Sequence, residues 1–173
     1  METPVSPETE SWNHRLRSNI NVMSYIPNDA EWYLADLIIQ MRVEMDPRSI
    51  VHINTILVRA DSPEDAHEKA LLLGKHEEGS YVNSDGKTVS VVFCGLGELN
   101  VVHDKLEHGS ELLYRERVDM SDEQVRALAK PKGELAVFAP RQMSTGPNYM
   151  PKSVMDQLKS CGIDVSDIQM DSP

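Results

Sequence analysis

The densest set of chemistry-bearing side chains in this sequence is His103-Asp104-Lys105-Leu106-Glu107-His108-Gly109. Wound as a helical turn, it places Asp104, Glu107 and His108 at i, i+3 and i+4, on one face. Imidazole and carboxylate together form a donor set for a divalent metal. Such a metal would activate water for hydrolysis, with His103 as a candidate general base. The spacing matches no established metal motif, however, and Gly109 stops a helix after little more than one turn. The simpler reading is structural, because a histidine near a helix C-terminus is favoured by the dipole without any metal.

Other candidates are weaker. His52 and Asn54 share a strand face with Ile56 and could line a small-ligand pocket, although a satisfied cross-strand pair explains them more simply. Gly95-Leu96-Gly97-Glu98-Leu99-Asn100 follows a strand and mimics two-thirds of GxGxxG. Asn100 replaces the third glycine and no amphipathic helix follows, so a phosphate would lack a helix N-terminus. A glycine-assisted bend or bulge accounts for Gly95 and Gly97 better. No GxSxG, HExxH, P-loop or EF-hand pattern occurs, and no CxxC, which excludes a cysteine zinc site. Cys94 lies in the apolar run VSVVFCGL and reads as a small buried hydrophobe.

The elements that must position these residues begin at Trp32. In WYLADLIIQMRVE, residues 32–44, one parity (Tyr33, Ala35, Leu37, Ile39, Met41, Val43) is wholly apolar, which makes this a strand with a buried face. Met45-Asp46-Pro47-Arg48 breaks it, and the β-branched run from Ser49 to Ala60 follows, giving an antiparallel hairpin with a four- or five-residue connection. Ser62, Pro63 and Asp65 then mark the start of a capped helix. Its apolar stripe is Ala66, Ala70 and Leu73, widened by Leu71 and Leu72, with Gly74 as a C-terminal breaker. Asp65 and Lys69 form an i,i+4 pair, while His67 and His76 face solvent.

Downstream, Tyr81-Val82 begins a short strand and Asn83-Ser84-Asp85-Gly86 is a turn. Thr88–Leu96 is a third main strand and Glu111–Val118 (ELLYRERV) a fourth. Ser121 and Gln124 have capping-box spacing for a short helix. Glu134–Ala139 is a short apolar strand or docking segment, and Pro151–Ser160 a last helix stopped by Gly162. The expected fold is α+β: a mostly antiparallel, four- to five-stranded sheet with a helix packed on one face, in the order β-β-α-β-β-α. Residues 1–28 read as a flexible or loosely docked extension, with Trp12, Leu16, Ile20, Val22 and Tyr25 as possible anchors. Residues 29–120 form the core domain, and residues 121–173 a helical and extended segment that docks on the core or on a partner.

The sheet face opposite the helix is assigned Trp32, Leu34 and Ile38, with Ile56 and Val58. It is too apolar to be left wholly wet, so the terminal segments or a second subunit should cover it, the latter most simply in a homodimer. Net charge is −11, and Lys and Arg are scattered, which disfavours nucleic acid and fits either solubility or association with a basic partner. No run is long enough to span a membrane. METPVSPETESW lacks the basic start and apolar stretch of a secretory signal, so a cytoplasmic address is expected.

The pieces Trp32–Leu34, Asn54–Glu68 (NTILVRADSPEDAHE) and Gly95–Tyr114 (GLGELNVVHDKLEHGSELLY) resemble the bacterial domain-of-unknown-function family four-two-eight-eight, with RADSPEDA and LEHGSELLY as the signature-like parts. The resemblance implies a bacterial, intracellular α+β module. It implies no activity and carries over no functional residue; residues 1–28 and 118–173 lie outside it. Three functions follow as expectations. The favoured one is a non-enzymatic interaction or accessory (immunity-like) module without a cofactor. The alternatives are a metal-dependent hydrolase built on His103, Asp104, Glu107 and His108, and a small-ligand sensor built on His52 and Asn54.

Overall fold

The computed structural model describes residues 25–139, 145–163 and 165. The fold is α+β. Four antiparallel strands, β1 (Trp32–Val43), β2 (Ser49–Arg59), β3 (Gly79–Val82) and β4 (Thr88–Val101), lie in the order β2-β1-β4-β3. Helix α1 (Pro63–His76) links β2 to β3, and α2 (Asp122–Leu128) and α3 (Lys152–Ser160) follow the sheet. The sequence order β-β-α-β-β-α is therefore present, but its strands differ from expectation. The short Tyr81-Val82 strand is the third, and Glu111–Val118 is exposed, irregular backbone. Among the described residues this segment pairs with no strand, and β propensity is realised only against a partner.

β1 is the central strand and all six residues of its apolar parity are buried. The β1–β2 connection is tied by Asp46, which accepts hydrogen bonds from Arg48 N (2.9 Å), Nε (3.1 Å) and Nη2 (2.9 Å). The register pairs Tyr33 with Val58 and Ala35 with Ile56. Ile56 and Val58 therefore point to the helix-covered side, not to the Trp32 side. A one-residue difference in hairpin connection exchanges the two faces of the second strand, and the turn residues alone do not specify that residue.

β4 runs on past Gly95 to Val101 because two bulges correct its phase. Val89, Val91 and Phe93 oppose Val43, Met41 and Ile39; Leu96, Leu99 and Val101 then oppose Leu37, Ala35 and Tyr33, with register shifts between Ala35/Leu37 and Ile38/Ile39. Each bulge inserts one residue, so the apolar side chains stay on the inner face though their sequence parity changes. Gly95 sits at the first shift with φ 131°, a backbone conformation that glycine adopts without strain. Cys94 is the inserted residue there, and it is exposed rather than buried. The bulge turns it out of the inner row.

The start of α1 forms as its sequence requires. Ser62 Oγ accepts from Asp65 N at 3.1 Å, and the Asp65 carboxylate accepts from Asp61 N at 3.1 Å and from Lys69 Nζ at 2.6 Å. His67 and His76 are exposed. The buried stripe is Ala66, Ala70 and Gly74, at i, i+4 and i+8, while Leu72 and Leu73 are exposed. Gly74 does not end the helix. It lies against the ring of Phe93, and a Cβ on it would come within 2.4 Å of that ring. Three small residues thus let α1 sit close on the sheet. Just beyond the helix, Glu78 accepts from Phe93 N at 3.3 Å and from Lys75 Nζ at 2.9 Å, closing the helix end over β4.

α1 covers the Tyr33–Phe93 part of the inner face, and residues 145–155 cover the rest. Tyr149 packs with Met41, Val43 and Val89, and Met155 of α3 is buried. The anchor is Asn83, a fully buried amide in the β3–β4 turn. Its Oδ1 accepts from Asp85 N and Lys87 N, at 3.0 and 2.8 Å, and its Nδ2 donates to Asn148 O at 2.7 Å. Ser84 N donates to Met150 O at 2.9 Å, and Tyr81 Oη donates to Tyr149 O. By contrast, every residue from Glu111 to Phe138 is exposed except Met120. This arm contains α2, held by a full capping box between Ser121 and Gln124, and no buried residue. Leu135, Val137 and Phe138 form exposed turns rather than a strand. Of residues 1–28, only Tyr25–Asn28 fall among the described residues, so Trp12, Leu16, Ile20 and Val22 lie outside them; Tyr25 stacks on His103 at 6.4 Å.

Gly74→Ala should destabilise the protein by about 1–3 kcal/mol through overpacking on Phe93, measured by denaturant unfolding. Gly79→Ala, with open space around it, should cost far less. A second expectation concerns acid. The bonds from the Arg48 side chain and N–H hold the Asp46 carboxyl down to about 2 from its ordinary 3.8. Its stabilising contribution is present above 3.8 and is lost as pH falls through about 2. The melting difference between wild type and Asp46→Asn, kept small by solvent screening, should shrink across that window.

Candidate functional site

The sheet face that α1 leaves open is the candidate site. β1 presents Trp32, Leu34, Asp36, Ile38 and Gln40, and the register sets them beside Arg59, Leu57, Thr55, Ile53 and Val51 of β2. On the other flank Val92 lies opposite Gln40 and Asn100 opposite Leu34. Leu34 is 8% exposed, whereas Ile53 is 63%, Val51 53%, and Leu57 and Val92 each 43%. Arg59 reaches over Trp32, its guanidinium carbon 6.0 Å from the ring centre, and pairs with Glu31 at 3.5 Å. Gly97 makes room on this side: a Cβ there would stand 2.9 Å from Ile38 Cδ1 and 3.5 Å from Asp36 Cβ. Ile38 thus lies across β4 as a low apolar floor.

At the Leu34 end, the first residues of the arm turn this face into a groove. Leu113, Tyr114 and Arg115 rise along one side, and Leu34, Asp36, Thr55, Glu98 and Asn100 form the remainder, enclosing about 350 Å³. Thr55 Oγ1 donates to Asp36 Oδ1 at 2.6 Å, which fixes that carboxylate. The groove offers two carboxylates, an amide, a phenol and a guanidinium above apolar walls. That combination places hydrogen-bond donors and acceptors and both signs of charge beside apolar walls. A second, more open hollow of about 580 Å³ adjoins it through the shared Arg115 and is lined by Arg117, Asp119, Met120, Val125 and Leu128 of the arm.

Of the face read from sequence, Trp32, Leu34 and Ile38 are here, and Ile56 and Val58 are on the opposite side. His52 and Asn54 lie on that opposite side too. His52 meets Tyr149 edge-on at 5.4 Å, packing against the C-terminal segment, and Asn54 is exposed. The His103–His108 stretch is a turn, not a helix. Asp104 Oδ2 accepts from Glu111 N at 3.0 Å, and Ser110 Oγ accepts from Glu107 N at 2.8 Å while contacting Lys105 O and Glu107 O. These bonds shape the loop. Among the described residues, no three His, Cys, Asp or Glu side chains are placed to hold a metal ion, so His103, Asp104, Glu107 and His108 are not brought together as a centre. Sequence reasoning passed over Asp36, Thr55, Glu98 and Asn100. They come from three strands, and the GxGxxG-like run that holds Glu98 and Asn100 points to a different chemistry; only a correct strand register would have gathered the four.

Asp104→Ala should loosen this loop and cost about 0.5–1.5 kcal/mol for its lost hydrogen bond, while His108→Ala should be neutral. Neither should change the melting response to zinc or manganese. A metal-induced rise in melting temperature that either substitution abolishes would reinstate a metal centre here.

Among the described residues no helix is long and apolar enough to cross a membrane. Comparison with curated proteins finds no match, and comparison with solved structures finds none. A family model does match, over residues 32–114, from the first residue of β1 to Tyr114 at the groove's rim. The matched span contains the whole sheet, α1 and every groove residue but Arg115. Residues 32–114 thus resemble the family described as Domain of unknown function (DUF4288).

Proposed function

We propose that this protein is a non-enzymatic interaction module, accessory or immunity-like in kind, that engages a basic protein partner on its open sheet face. The observation that carries this reading is the face itself. Ile38, Val51, Ile53, Leu57 and Val92 make a partly bare apolar surface that runs into a groove holding Asp36 and Glu98. Apolar surface rimmed by polar groups is the usual form of a docking site. The carboxylates, within a chain of net charge −11, favour a cationic partner and would speed its approach. The arm supplies further apolar groups at the groove's edge, including Leu112 and Tyr114.

The same reading takes the chain as a bacterial cytoplasmic protein. Cys94 and Cys161 are both free and exposed, a state that a reducing compartment preserves. The test is affinity capture with the intact chain, followed by measured binding of any basic protein recovered. Glu98→Lys should weaken that binding at least tenfold and flatten its loss with salt, and Leu57→Asp should weaken it comparably. Binding indifferent to both substitutions would place the partner elsewhere.

A further inference from the structure

The two edges of the sheet are treated differently. β3 is four residues long, and the C-terminal segment closes its end through the Asn83–Pro151 bridge and the Ser84 N to Met150 O bond. β2 is eleven residues long and, among the described residues, pairs with β1 alone. The ladder phase shows which of its groups are unused. Ala60 N donates to Glu31 O, and Trp32 O accepts from Val102 N on the other flank. In an antiparallel pair the bonded residues alternate, so Val58, Ile56, Asn54, His52 and Ile50 bond to β1. The N–H and C=O groups of Val51, Ile53, Thr55 and Leu57 then point away from the sheet. Among the described residues none of these four makes another backbone hydrogen bond.

This edge carries none of the devices that blunt an exposed strand. From Ile50 to Val58 it reads IVHINTILV, without proline, lysine or any charged residue. We propose that β2 is a self-association edge, on which a second copy of this chain pairs its own β2 antiparallel about a twofold axis at Asn54. Three observations select a second copy over a foreign strand. The midpoint of Ser49–Arg59 is Asn54, and a twofold there pairs odd-numbered residues with odd-numbered ones, the set whose backbone groups face outward. In that register Val51 meets Leu57 of the other copy, and Ile53 meets Thr55, on the open face, while His52 meets Ile56 on the other side. Finally, the edge is uncharged on a chain of net charge −11. Two copies can approach there without opposing carboxylates, and a basic foreign strand finds no acid on it to prefer. The arginines at its two ends are already paired, Arg48 with Asp46 and Arg59 with Glu31.

The pairing would add about eight inter-strand hydrogen bonds and join two four-stranded sheets into one continuous sheet. It uses the backbone edge of β2 and leaves Asp36 and Glu98 of the groove open; because Val51, Ile53 and Leu57 also belong to the proposed docking face, it is tested on the chain alone, where no partner contributes. The test is sedimentation velocity on the intact chain from low to high micromolar concentration, with amide hydrogen exchange at both ends of the range. A dimer is expected, with protection of Val51, Ile53, Thr55 and Leu57 that rises with concentration. Ile53→Pro removes an outward N–H without breaking the ladder to β1 and should weaken dimerisation at least tenfold. Ile53→Lys, which keeps the backbone intact, should do the same if the proline variant fails to fold. A monomer throughout the range, a dimer that survives the folded variants, or a dimer without concentration-dependent protection at these amides would overturn the proposal.

Discussion

A length mismatch governs this molecule. At 12 residues β1 is about 40 Å long, whereas α1 with 14 residues is about 21 Å. One helix cannot cover the inner face of such a strand. The exposed remainder, around Met41, Val43 and Val89, must be closed by something else, and residues 145–155 do it by hanging from Asn83. The mismatch also explains the tightness of the helix contact. Ala66, Ala70 and Gly74 bring the backbone close, and that closeness lets so short a helix bury Tyr33, Ala35 and Phe93 at once. Among the described residues no helix packs on the opposite face, which is where the groove forms.

Much of this architecture was legible in the sequence because it rests on local rules. The all-apolar parity of β1, the Ser62 cap and the Ser121–Gln124 box each depend on neighbours within a few positions. The failures share a different cause. β4 seemed to end at Leu96 because its alternation slips there, yet the slip is two bulges that keep Leu99 and Val101 inside. Ile56 and Val58 were set on the wrong face because a hairpin's register depends on one residue in its turn. Gly74 resembled a stop, but its role is set by Phe93, about twenty positions away in sequence. Each of these is a long-range fact that local propensity does not contain.

The candidate site divides along the same line. Trp32, Leu34 and Ile38 stood out because apolar residues on the second face of a strand call for cover. Asp36, Thr55, Glu98 and Asn100 are ordinary polar residues until three strands align them. His103, Asp104, Glu107 and His108 showed the reverse. Their composition suggested chemistry, but hydrogen bonds to Glu111 and Ser110 commit the stretch to a loop. Residue type proposes a role, and backbone geometry decides whether the side chains ever converge.

The chain leaves the groove at Arg115 and rejoins the body at Thr145, whose carbonyl accepts from Arg48 Nη1 at 2.9 Å. Arg115 lines the groove over the sheet, and Thr145 is held by Arg48 in the β1–β2 connection. Closing such a loop costs entropy that grows only with the logarithm of its length, about 0.6 kcal/mol for each doubling. Residues could be added to or removed from it with little consequence for folding, whereas a single insertion in the β1–β2 connection would turn a strand over. The stretch is thus the part of the molecule in which reach can change while the sheet stays as it is.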